Sequence, residues 1–127
     1  MSKNVLQTVS DVMSDLNIEY AFGFYKGNPV VYPYFVGEYQ ESEPMNEDGG
    51  CESTIILTGF TRNEWMDLIE AAEKIENTFG YDGDSFMYED GSASVIAYAG
   101  SLVIPKEEAD LKSIQINLSI KEWKVKA

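Results

Sequence analysis

The sequence predicts an α+β domain, a mostly antiparallel sheet with two main helices packed on one face. Three observations predict it. Residues 111–120 place Ile114, Ile116, Leu118 and Ile120 on one face and Ser113, Gln115, Asn117 and Ser119 on the other, the strict alternation of a strand with one face on a core. Two segments, residues 3–16 and 65–79, carry apolar side chains at helical spacing. The runs between them alternate with period two and are joined by turns or loops. Such strands are most simply antiparallel, and both helices need a face to cover.

Taken in order, residues 3–16 set Val5, Leu6, Val9, Val12, Met13 and Leu16 against Gln7, Ser10, Asp11 and Ser14, an amphipathic helix, with Asn17 as a left-handed stop. Ile18, Tyr20, Phe22 and Phe24 then alternate as a strand. Lys26-Gly27-Asn28-Pro29 has turn chemistry, so a hairpin is expected with the aromatic strand Val30–Tyr39. Pro33 within that strand points to an edge or a bulge. Residues 40–51 lack apolar periodicity and read as an acidic loop. Strand character returns from Glu52 to Phe60, with Ile55 and Leu57 on one face.

Thr61-Arg62-Asn63-Glu64 has the form of a capping box. The helix after it carries Trp65, Leu68, Ile69, Ala72, Ile75 and Phe79 on one stripe and stops at Gly80. Residues 81–91 read as a second acidic loop or short hairpin. Residues 92–105 form a β-type run broken at Gly100-Ser101, and residues 106–110 a charged connector. The alternation of the final strand slips after Ile120, which implies a bulge or the end of the buried face.

Composition excludes several functions. The chain has 127 residues, 44% of them hydrophobic and 13% aromatic, enough for one core and hence a single domain spanning 1–127. With 22 acidic and 9 basic residues the net charge is −13, a field that repels nucleic-acid phosphates. It suits either a solubility role or docking on a basic partner, with divalent cations as possible helpers. There is no histidine and one cysteine, Cys51, so a Ser-His or Cys-His pair, histidine-ligated zinc, a thiolate cluster and an intrachain disulfide are all excluded. Neither a signal-peptide pattern nor a run approaching the ~20 apolar residues of a membrane span occurs. Synthesis in the cytoplasm as a soluble protein is expected.

No motif specifies catalysis. Asp82-Gly83-Asp84 invites a calcium reading but lacks the further ligands of a calcium loop, and a solvated turn accounts for it. The glycines have no phosphate-cradling spacing. Carboxylate pairs occur without any sign of a cleft, and carboxylates beside Cys51 would leave its thiol unactivated. Cofactor and metal sites are therefore not expected. Tyr32, Tyr34, Phe35 and Tyr39 could stack bases, but no basic residue lies between Lys26 and Arg62. Packing in the core or against another subunit is the better reading, because aromatics on the sheet face away from the helices need a cover. The loop acids Glu41, Glu43, Glu47, Asp48, Asp82, Asp84, Glu89 and Asp90 are the candidate partner contacts.

Four stretches carry a resemblance. They are the N-terminal amphipathic helix leading into an aromatic strand, Tyr32-Pro33-Tyr34-Phe35-Val36-Gly37-Glu38, Ile56-Leu57-Thr58-Gly59-Phe60-Thr61-Arg62 entering the Trp65 helix, and the ending from Leu111 to Lys124. In this order they resemble the tail terminators, the tail-to-head joining proteins of long-tailed bacteriophages and prophages. The resemblance implies a non-enzymatic virion protein of α+β fold. Six copies would form a ring on the finished tail tube, stop its growth and present a surface to the head connector. Its partners would be itself, the tube protein and the connector, without nucleic acid or membrane. Two rival readings remain open from sequence. One is another head-tail connector or minor capsid protein. The other is an acidic binding module that inhibits by mimicking nucleic acid, with a small acid-dependent hydrolase beyond it.

Overall fold

The computed structural model describes residues 2–27, 29–41, 50–106 and 108–123. Its elements run α1 (Lys3–Asp15), β1 (Glu19–Phe22), β2 (Tyr34–Glu41), β3 (Gly50–Thr61), α2 (Trp65–Phe79), β4 (Asp84–Met87), β5 (Ala93–Ile104) and β6 (Lys112–Trp123). The strands form one six-stranded sheet in the order β1-β2-β3-β6-β5-β4. All neighbours are antiparallel except β1 and β2. The architecture is the α+β class that the pattern predicts.

The core lies on one face of the sheet. Val5, Val9 and Met13 of α1 and Leu68, Ala71, Ile75 and Phe79 of α2 pack there with Phe35, Ile55, Leu57, Ile96 and Tyr98. The alternating residues of the last strand, Ile114, Ile116, Leu118 and Ile120, complete it. Gly59 makes the close packing possible, since a Cβ there would stand 2.5 Å from the Phe35 ring. Asn17 stops α1 in the left-handed region at φ 57°, and Gly80 stops α2 at φ 68°, as their types suggest.

Five expectations are corrected. The predicted hairpin of the first two strands does not exist: β1 pairs parallel with β2. Val30 and Val31 are exposed and precede the strand, which begins after Pro33 at Tyr34. Their apolar character belongs to a connection that must carry the chain back along the sheet, as parallel pairing requires. Thr61 is no helix cap. It ends β3, its hydroxyl accepts from the Asn63 N–H at 3.1 Å, and α2 starts from Glu64, which has no side-chain cap bond. Trp65 and Ile69 share the helical stripe but lie beyond the sheet's cover, and both are exposed.

The slip after Ile120 is neither a bulge nor an end of the buried face. Glu122 keeps the core-facing parity and is buried. The irregularity lies instead in β5, between Tyr98 and Ser101, where Gly100 takes φ 110°.

Candidate interaction surface

Both helices cover the same face, so among the described residues no helix covers the other face, the bare face of the sheet. Val36, Ile56, Thr58 and Phe60 on β2 and β3, with Val95 and Ala97 on β5, carry the opposite parity and are only half-buried. Aromatic rings gather where β2 begins. Tyr25 stacks flat on Tyr34, with centroids 4.1 Å apart and planes at 8°. Tyr34 also meets Phe60 at 5.3 Å and Tyr32 at 5.9 Å. Register explains the grouping: Tyr34 and Val36 share a parity on β2, and Phe60 lies directly opposite Tyr34 on β3.

Tyr25 arrives through a turn at Gly23, whose positive φ of 81° suits glycine. The Tyr25 hydroxyl accepts from the Val31 N–H at 3.1 Å. A cavity of about 280 Å³ opens against these rings, lined by Phe24, Tyr25, Tyr34, Val36, Glu38 and Phe60.

Cations frame this end. The Lys106 ammonium lies 5.2 Å from the centre of the Phe60 ring, a cation–π placement. Arg62 pairs with Glu108, and its Nη1 donates to Asp110 Oδ1 at 2.7 Å. Those bonds, with one to Tyr32, hold the guanidinium even more firmly protonated than usual. Burial, then the neighbouring Tyr32 and Tyr25, raises the Tyr34 phenol above its ordinary value. Rings and cations dominate this end, so a contact made here would rest on area and stacking.

The opposite end of the sheet is polar. Ser2 Oγ accepts from the Val5 N–H at 3.2 Å as the cap of α1 and donates to Glu122 Oε2 at 2.5 Å. Asn4 Nδ2 donates to Ser92 Oγ at 3.2 Å and to Asp90 Oδ2 at 3.3 Å. Thr8, Tyr88 and Ser94 continue the chain of hydroxyls at 3.1 and 2.6 Å. Asp90 Oδ1 accepts from both the hydroxyl and the N–H of Ser92, which pulls its carboxyl below the ordinary range.

The candidate acids divide between two places. β2 runs out at Glu41, and β3 enters at Gly50, in the same row as Trp123, Ala93 and Met87. Glu89 and Asp90, in the turn that follows Met87, lie at the polar end. Asp84, on the outer strand β4 just after Asp82, stands opposite Ile96, and that row runs on through Ile120 and Ser53 to Glu41 on β2. Glu43, Glu47 and Asp48 lie outside the described residues. Among the described residues no three acidic or cysteine side chains come together as a metal site, and no helix is long and apolar enough to cross a membrane.

Of the four aromatics singled out from sequence, Tyr32 and Tyr34 join the stack. Phe35 and Tyr39 pack with the core. Tyr25, Phe60, Arg62 and Lys106 were missed. Only the strand parity of Phe60 hints at its place, since the others arrive through turns and long-range pairing.

No known family description matches the sequence, and no curated protein matches it. A solved structure is similar in fold: a chain of a structure described as the virion of a native gene transfer agent particle superimposes with a TM-score of 0.66. The match covers 87% of this chain and 83% of that chain at 10% sequence identity. At that identity the likeness is one of fold.

Proposed function

We propose that this chain is a non-enzymatic structural protein of a phage-like virion and that, within the particle, it acts as the tail terminator. In this reading residues 1–127 are one domain, six copies close a ring on the tail tube, and the ring joins the tube to the head connector. The observation that carries the reading is the fold likeness to a virion chain over 87% of the sequence. The bare sheet face supports it, because an aromatic, half-buried face framed by cations suits a protein contact. The exposed acids Glu41, Glu89 and Asp90 are assigned to contact with the tube or the connector.

Native mass spectrometry over a concentration series, with and without magnesium, tests the ring. A closed hexamer is expected. Gold-labelled antibody against the chain should decorate the head-proximal end of purified tails in electron micrographs. Label at the portal or the capsid would replace the terminator by another head-tail component. A monomer at every concentration that binds DNA-processing enzymes would favour the acidic inhibitor instead.

A further inference from the structure

Two unpaired strand edges stand at opposite sides of the sheet. β4 covers β5 only from Ala93 to Ile96, and the last bond on that side is from the Tyr98 N–H to the Gly80 carbonyl at 2.7 Å. Ser101, Leu102, Val103 and Ile104 pair with β6 alone among the described residues. Leu102 and Val103 are 50% and 60% exposed. At the far side, β1 pairs among the described residues with β2 alone, and Phe22 is 45% exposed. Open edges normally carry lysine, proline or a bulge that blocks pairing. Ser101–Ile104 carries no charge and meets its first proline only at Pro105.

The two edges match in height, length and direction. Reading across the sheet, Glu19, Tyr34, Phe60, Ser113 and Ile104 form one row. Three rows on, Phe22, Gly37, Leu57, Ile116 and Ser101 form another. The four residues of β1 thus occupy the same rows as the four open residues of β5. Through the chain of pairings β1 runs antiparallel to β5, so two copies standing side by side in the same orientation would present an antiparallel pair. Residues in one row share a face, so joining the edges row to row continues both the covered face and the bare face.

We propose that copies of this chain assemble by strand addition, with Ser101–Ile104 of one copy pairing antiparallel with Glu19–Phe22 of the next. The contact is heterologous and repeats around a rotation axis, which joins the separate sheets into one belt. Its closure into a ring rests on the terminator reading; the pairing itself does not. Because each copy carries a charge of −13, added salt should strengthen the association by screening repulsion between copies.

Complementary capping tests the proposal. Val103→Lys disables the β5 edge and Phe22→Lys the β1 edge, each at an exposed position. Each variant alone should be monomeric at concentrations where the unaltered chain is oligomeric, with association weakened about a hundredfold. Mixed, they should give a 1:1 heterodimer by native mass spectrometry and nothing larger, because each keeps one working edge. Heterodimer formation also shows that both variants fold, and Leu102→Lys repeats the β5 arm. Oligomers that persist in both single variants would overturn the edge pairing and leave the ring reading standing. A homodimer in either single variant would show like-with-like contacts and overturn it too, as would an unaltered chain that stays monomeric at every concentration and salt level.

Discussion

The two ends of this sheet are built by opposite means. At the polar end, hydroxyls and carboxylates that are mostly buried bind one another, and the bond from Ser2 to Glu122 ties together residues 120 positions apart. At the aromatic end, rings and cations sit half-exposed on a bare face, held by stacking and by surface ion pairs. The buried groups of the first end direct their hydrogen bonds at one another and specify how the chain folds. The second leaves much of its area unspent and can meet another molecule. Substitutions at the polar end should therefore show in stability, and those at the aromatic end in association.

The largest effect should come from Ser2→Ala. It removes the cap of α1 and the donor to a buried carboxylate, so unfolding in urea should shift by about 2 kcal/mol with oligomeric state unchanged below the transition. Tyr20→Phe should act in the other direction. The Tyr20 hydroxyl is buried without a hydrogen-bond partner, and its removal should stabilise the chain by about 1 kcal/mol.

Burial pushes the same phenol up to about 12. Because the folded value lies above the unfolded one, the unfolded chain ionises first and the native state loses stability as pH rises from about 10 towards 12, a loss that Tyr20→Phe should not show. Ultraviolet titration of phenolate should show a component near pH 12 that is absent in Tyr20→Phe.

Tyr34→Leu should sharpen the contrast. Losing the stack with Tyr25 should cost about 1 kcal/mol or less, while an interface on the bare face would weaken far more, read as a shift in the concentration of assembly.

Asp90 gives a smaller, pH-bound effect. Its folded value is depressed by the bonds from Ser92, so its contribution is present above the unfolded carboxylate range, about 3.9, and is lost as pH falls through the folded value. Asp90→Asn should flatten thermal stability in that acid window and change little at neutrality. The smallest effect belongs to Arg62→Ala, whose ion pairs are solvent-exposed. The melting temperature should stay within error, because water already screens those charges.

The sequence revealed most where a residue's environment depends on its own neighbours. The Ile114–Ile120 alternation, the apolar stripe of α1 and the left-handed Asn17 are local patterns, and they became a central strand, a packed helix and a helix stop. It revealed least where the outcome depends on a distant partner. Nothing local distinguishes a parallel β1 from the first arm of a hairpin, because the choice is made by how the connection from Gly23 to Pro33 folds back. Thr61 has the pattern of a cap, yet β6 extends the pairing of β3 through that residue. Glu122 reads as the end of a buried face because a carboxylate is costly inside a protein. Ser2, from the other end of the chain, makes its burial tolerable. The candidate surface shares this difficulty, since Tyr25, Phe60 and Lys106 meet only after three separate segments have been placed.

β6, the last of the six described strands along the sequence, stands in the middle of the sheet between β3 and β5. On the ribosome, β3 and β5 must therefore wait with their inner edges unsatisfied until β6 has emerged, and Glu122 cannot reach Ser2 before then. Folding of the sheet is consequently deferred until β6 has been made. A product broken off before β6 lacks the strand that joins its two halves, so it would be left to the proteases instead of entering an assembly as a defective copy.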